Sequence, residues 1–325
     1  MTTKIEAENK KTSAKAALRL RWVLAHEPVS VFETAARRFG DIIRQGSGGG
    51  IEVDVISATQ FNQGKRMSPA EVIAKVASGE IEMCQTYTTA LAQLHEPLRL
   101  LDLPFLFKSH EHSASVLDGP IGEKLMGGLL PRGLRGLSFT YSGGYRVLSS
   151  AGAEIHGLKD LKGLRVRCME SPVATHLFES WGAIPVPAPL HETVDLARAG
   201  KIDAAETTYP RYWDQKQPEV HRVVNETHHS LLLTMMVVNE RYFQGLSPAN
   251  REMVRRAAGE AAKIERATSI SEGEQVRKRC PENGIKIVEL QASEKRAFET
   301  SAKPVVERFA PVFGESLIRS IRDAA

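Results

Sequence analysis

The chain has 325 residues, 42% of them hydrophobic and 25% charged, which suits a large buried core and about two domains. Its net charge is +4 and its aromatic content 6%, so it has neither the basic face nor the stacking platforms of a nucleic-acid binder, and no nucleic-acid partner is expected. Three scattered cysteines, Cys84, Cys168 and Cys280, argue against a disulfide framework or a zinc site, and no run of about 18 apolar residues predicts a membrane-embedded helix.

Residues 1–17 are polar and read as a disordered N-terminal segment. This N-terminus lacks the apolar stretch and cleavage site of a secretion signal, so the printed chain taken literally reads as cytoplasmic. "LRLRWVLAH", Leu18 to His26, reads as a first strand. In the helix that follows, Phe32, Ala35, Ala36, Phe39, Ile42 and Ile43 recur at helical spacing. "GSGGG", Gly46 to Gly50, precedes the strand "IEVDVI". A dinucleotide fingerprint would instead follow a strand and open a helix, so this run reads as a helix stop and turn. Ser68 caps the next helix, Pro69 starts it, Gly79 ends it, and "EIEMCQ" is a short strand. The order strand, helix, strand, helix, strand predicts parallel pairing with crossover helices.

Further on, "LDLPFLF" reads as an apolar segment broken by Pro104. "GLSFTYSGGYRVL" reads as one strand and "DLKGLRVRCMESP" as the next. "VATHLFESWGAIPVPAP" and "LHETVDLARAGKIDAAETTYP" each give a helix, a glycine stop and a strand. The two halves of the chain thus repeat one logic, with "GEIEM" and "GKIDAAE" in matching places. "LLLTMMVVNERYF" reads as a buried strand. The longest helical signal runs from Pro248 to about residue 280, capped by Ser247 and ended by Pro281 and Gly284. It spans roughly 45 Å or more at 1.5 Å per residue, which exceeds one small domain, so it is expected to bridge two. A strand and two helices complete the chain.

Catalytic motifs are absent: there is no GxSxG elbow, P-loop or HExxH. "HEH", His110 to His112, reads as a solvated capping region rather than a metal site. His228 and His229 are adjacent, so in an extended segment they face opposite ways and at most one lines a pocket. Cys168 beside Arg167 is either an activated thiol or a buried small hydrophobe, and the second reading is favoured. The stretch "DLKGLRVRCMES", Asp160 to Ser171, poses the sharpest question. Leu164, Arg165, Val166 and Arg167 alternate apolar and basic, which puts both arginines on one side of a strand. A buried, unpaired arginine costs several kcal/mol, so it must face water, an internal carboxylate or an anionic ligand.

The ordered set "GKRMSPAEVIAKVASGEIEM", "LDLPFLF", "GYRVLSS", "DLKGLRVR", "HETVDLARAGKIDAAE" and the long helix after "VVNERYFQGLSP" resembles the DctP-type extracytoplasmic solute-binding proteins of TRAP (tripartite ATP-independent periplasmic) transporters. The resemblance covers about residues 19 to 310. It implies an α/β, two-lobed periplasmic-binding-protein-like fold. Each lobe is a mainly parallel sheet flanked by helices, and a long helix spans both. Lobe I would hold 18–142 and about 231–262; lobe II would hold 143–230 and about 263–325. It also implies a non-enzyme that binds a small carboxylate ligand between the lobes, without a cofactor, and delivers it to TRAP membrane permease subunits from the periplasm.

The arginine closing the family's "DLKGLKIR" pairs with the ligand carboxylate, and its place here is Arg167. A guanidinium suits that role, because its two parallel donors match a carboxylate and its charge persists at any working pH. Arg165 is expected to be structural or solvated. Other lining positions implied are His26, Thr86, Tyr87, Met169, Leu190, Thr207, Tyr209 and His229. Arg146 in "GYR" is either a second anchor or half of a structural ion pair. Glu206 matches the family's acid. Relatives that bind sodium there carry Glu-Trp, whereas this chain has Glu206-Thr207, so no metal is expected, and Glu206 reads as an internal counter-ion or a hydroxyl acceptor. Trp213 is expected to pack on its lobe. The alternatives are a cytoplasmic ligand-sensing protein, or a small-acid enzyme using Glu206, a histidine or Cys168 as acid–base group.

Overall fold

The computed structural model describes residues 18–25 and 30–324. The segment 1–17 and His26 lie outside the described residues. The strands are β1 (Leu18–Leu24), β2 (Ile51–Ser57), β3 (Met83–Tyr87), β4 (Leu134–Tyr145), β5 (Val147–Ser150), β6 (Arg165–Cys168), β7 (Ile184–Pro187), β8 (Ala204–Thr207), β9 (Val223–Glu226), β10 (Leu231–Asn239) and β11 (Lys286–Glu289). They form two sheets, ordered β2-β1-β3-β10-β4 and β11-β9-β5-β8-β6-β7. β1 runs parallel to β2 and β3, as crossover helices require. β6 runs parallel to β7 and β8, and β11 parallel to β9. Each sheet also holds one antiparallel strand within it, β10 in the first and β5 in the second.

β10 explains why its sequence is apolar throughout. All nine of its residues are buried. Leu231, Leu233, Met235 and Val237 join the core on one face of the first sheet, while Met236 and Val238 join the core on the other. A strand covered on both faces has no polar side to show, so period-2 alternation vanishes.

The local signals behave as their chemistry predicts. Ser68 accepts from the Glu71 amide and Glu71 reaches back to the Ser68 amide, while Gly79 closes that helix at φ 89°. Ser247 caps the helix Pro248–Glu282, which is about 50 Å long for its 35 residues. Its Ala257, Ala258, Ala261 and Ala262 pack into the core of the first sheet against Phe32, Ala35 and Phe39. Its Val276 and Cys280 pack with Val147, Tyr212 and Val224 of the second lobe. One helix therefore braces both lobes.

Two expectations need correction. "GLSFTYSGGYRVL" is not one strand: it splits at Arg146, with β4 in the first sheet and β5 in the second. Gly143 and Gly144 take φ of 93° and 85° just before the split, and an ideal Cβ on Gly143 would lie 2.3 Å from Thr208 Oγ1. The "HEH" region is not wholly solvated either. His112 is buried, accepts from the Lys108 amide at 3.0 Å and donates to the Ile321 carbonyl at 2.8 Å. The last helix, Glu315–Asp323, covers it.

The second connection between the sheets, from β9 to β10, runs beside the first. The Arg146 amide donates to the Ser230 carbonyl at 2.8 Å, and the Phe105 amide donates to the His229 carbonyl at 2.8 Å. Gly143→Ala is expected to cost about 1–3 kcal/mol of unfolding free energy, because it adds both a strained φ and a clash at this crossing. Gly152→Ala, where an added Cβ meets nothing within 4 Å, should stay within about 0.5 kcal/mol. Urea midpoints of the two variants measure the difference, and equal midpoints would remove the steric account of the crossing.

Candidate functional site

Arg167 sits on β6, paired with Val186 of β7 and Ala205 of β8. Two flanking strands and the packing above them leave it 0% exposed. Its Nε and one terminal nitrogen donate to the Ala188 carbonyl at 2.8 and 2.5 Å. The other terminal nitrogen donates to the Glu206 main-chain carbonyl at 3.1 Å, and Met169 Sδ lies 3.5 Å from the guanidinium. Among the described residues no carboxylate reaches within ion-pair distance of it. Burial presses its pKa down from the usual guanidinium value, but arginine stays protonated in practice. The result is a buried cation touched by neutral acceptors.

Arg165, two residues earlier, has a different fate. It donates to both oxygens of Asp203, at 2.9 and 2.6 Å, and the pair is partly exposed. It is a structural ion pair at the opposite end of the strand from Met169.

Arg146, at the strand split, is also buried. It lies 3.3 Å from Glu206 Oε2 and 3.8 Å from Asp102 Oδ1, so it stands in a structural ion pair. Glu206 is saturated: Oε1 accepts from the Met169 amide, and Oε2 faces both Arg146 and His229 Nε2 at 3.2 Å. Burial alone would raise the Glu206 pKa. Arg146, the His229 hydrogen bond and Arg167 outweigh it and hold the carboxyl at about 2. Asp102 is further from Arg146 and moves the other way: burial raises it, with Arg146 and a 3.0 Å bond from Ser171 only partly offsetting. Burial lowers the His229 pKa, which keeps the ring neutral, and Thr227 and the rings of Phe178 and Trp181 fix its position.

Other expected positions divide. Met169, Tyr87 and Leu232 form a small apolar cluster that joins the ends of β3 and β6. Thr86 is fully buried and its hydroxyl has no partner among the described residues. Leu190, just beyond Ala188, is buried in a short turn. Thr207 accepts from Gln217 at 3.3 Å. Tyr209 belongs elsewhere: its hydroxyl donates to Glu226, itself paired with Arg277, and its ring packs with the long helix. His228 takes φ 45° and meets the Tyr145 ring, while His229 meets Glu206, so the two histidines do serve different places. Trp213 packs under Arg279, whose guanidinium carbon lies 4.2 Å from the ring centroid. A groove of about 720 Å³ is lined by Leu24, Ser57 and Arg66 with Gln215 beside them, and none of Arg146, Arg167 and Glu206 lines it.

Three participants escaped the sequence reading. Asp102 and Ser171 complete the Arg146 network, and the Ala188 carbonyl holds Arg167. The acid inside "LDLPFLF" was the available signal for Asp102, since a carboxylate in an apolar run needs a buried partner. A main-chain carbonyl leaves no signal in a sequence. Chemically, the cluster lacks an activated nucleophile. Burial pushes the Cys168 thiol up to about 12. Among the described residues no group of three His, Cys, Asp or Glu side chains is placed to hold a metal.

Glu206→Gln is expected to destabilise the protein by about 3–5 kcal/mol at neutral pH, because Arg146 loses its nearer counter-ion. The Glu206 pKa is depressed, so its stabilisation is complete above the ordinary value of 4.5 and is lost as pH falls towards about 2. The gap between wild type and variant should therefore narrow over that window. Urea midpoints at several pH values measure it, and a gap independent of pH would contradict the assignment.

The profile of the bacterial extracellular solute-binding protein family 7 matches residues 24–311. A 2,3-diketo-L-gulonate-binding periplasmic protein of Escherichia coli is 28% identical over 277 residues, 85% of this chain and 83% of its own length. A C4-dicarboxylate-binding protein of Bacillus subtilis is 26% identical over 288 residues, 88% of this chain and 81% of its own. Among solved structures, a Bradyrhizobium TRAP periplasmic solute-binding protein with galacturonate superposes with a TM-score of 0.83 at 28% identity, covering 94% of this chain and 100% of that one. A Chromohalobacter salexigens counterpart with D-glucuronate gives 0.85 at 26% identity, with the same coverage. The two sheets and the long helix are thus those of a two-lobed TRAP-type binding fold, and the chain belongs to the bacterial extracellular solute-binding proteins of family 7.

Proposed function

We propose that this protein captures a small organic acid between its lobes by pairing the acid's carboxylate with Arg167. The observation that carries the reading is the guanidinium itself, fully buried and met by neutral acceptors. A buried charge without a counter-ion costs several kcal/mol, and a bound carboxylate returns that cost with two parallel charge-assisted hydrogen bonds. The carboxylate- and uronate-binding relatives support the choice of an acid.

Arg146 then acts as the internal partner of Glu206, which in turn orients Met169 and His229. Thr86, Tyr87, Met169, Leu190 and Thr207 line the ligand. The lobes divide near residues 143, 231 and 262. In this reading the protein works in the periplasm, takes no part in chemistry, and hands its ligand to the membrane permease of a TRAP system. Glu206 is ill suited to acid–base work, because Arg146 and His229 hold it ionised and occupied.

A thermal-shift and calorimetry screen of C3 to C6 organic acids tests the anchor. Wild type should gain stability with at least one acid. Arg167→Ala should lose about 30-fold to several thousand-fold in affinity for it. Undiminished binding by the variant would remove Arg167 from the role.

A further inference from the structure

The buried charges around Glu206 can be counted, and the count restricts the acid. Among the described residues, two buried guanidinium groups, Arg146 and Arg167, lie with two buried carboxyls, Asp102 and Glu206. Arg146 stands between both carboxyls, at 3.3 Å from one and 3.8 Å from the other. Arg167 stands with main-chain carbonyls and a thioether. Whether Asp102 is ionised or protonated, the four groups carry a surplus of one positive charge at most. His229 adds none, being buried, neutral and hydrogen-bonded to Glu206.

We propose that the cleft is built for a single negative charge: it selects monocarboxylates bearing neutral polar groups, and Glu206 excludes a second carboxylate. The inference rests on Arg167 being the carboxylate anchor. Around that anchor the surface is apolar or neutral, with Tyr87, Met169 and Leu232 clustered together. A second carboxylate placed there would be desolvated beside an ionised Glu206, and Arg146, the other buried cation at this cluster among the described residues, is already held by Glu206. Neutral groups would fare differently. Thr86 Oγ1 and Arg146 Nε are both buried, on residues no more than 3% exposed, and neither has a hydrogen-bond partner among the described residues. A hydroxyl or carbonyl of the ligand can satisfy either, and an orphaned buried polar atom strongly favours the ligand that does so. Arg37 and Arg66 at the groove are cations too, but both are exposed, and water and salt screen an exposed charge.

Matched pairs of acids test this. Gluconate and glucarate share one hydroxylated skeleton, and the second has a carboxylate in place of the terminal hydroxymethyl group. Galacturonate with galactarate, and erythronate with tartrate, extend the series, and succinate and malate stand for unhydroxylated or sparsely hydroxylated diacids. Calorimetry on wild type should find a monoacid that binds, with its diacid weaker by about 100-fold or more. Glu206→Gln should narrow that ratio at least tenfold by releasing Arg146 to take the second charge. A diacid that binds wild type as tightly as its monoacid, and is lost in Arg167→Ala, overturns the single-charge inference while leaving the anchor in place. Binding by no acid in the series overturns both.

Discussion

A fully buried guanidinium whose contacts among the described residues are neutral acceptors is the constraint on which the rest of this site depends. Arg167 lies on a strand with partners on both sides, and its side chain is fully buried in this structure. Its contacts are placed by main chain: the Ala188 carbonyl after β7 and the Glu206 carbonyl on β8. Backbone acceptors soften the desolvation of a cation but do not cancel its charge. Glu206 supplies only its carbonyl to Arg167 because its carboxylate is taken by Arg146, His229 and the Met169 amide. The Arg146 network therefore keeps the Glu206 carboxylate away from Arg167.

The scaffold serves this arrangement. The chain passes between sheets at Arg146 and returns at His229 and Ser230, and the two crossings are hydrogen-bonded side by side. The residues that hold Glu206 thus come from the crossings themselves. Any change in the angle between the lobes would pull on Arg146 and His229 directly. The helix Pro248–Glu282 limits such movement from outside, since one end is packed in each lobe.

Much of this was legible from local chemistry. Ser68, Pro69 and Gly79 marked their helix because capping and left-handed closure depend on adjacent residues. The length of the helix after Ser247 pointed to a bridge between two domains by arithmetic, and the two-lobed form came from the family resemblance. Arg165 and Arg167 stood out through alternation, but alternation could not tell them apart. What separates them is Asp203 beside one and a bare carbonyl beside the other, and the first partner is 38 residues away. Long-range partners defeated the reading elsewhere as well. His112 looked solvated until a helix from the far end of the chain covered it. Asp102 was hidden in an apolar run, and Tyr209 turned towards the long helix rather than towards Arg167. The strand break at Arg146 left one trace, the pair Gly143-Gly144, whose meaning depends on the neighbouring Thr208.

The central claim is that Arg167 is completed by a negative charge rather than by shape. Its most direct test is to compare the best-binding acid with its own primary amide by calorimetry. The amide keeps size, planarity and one carbonyl oxygen and removes only the charge. The account predicts that the amide binds about 100-fold more weakly or worse. Equal affinity for the acid and the amide would contradict it.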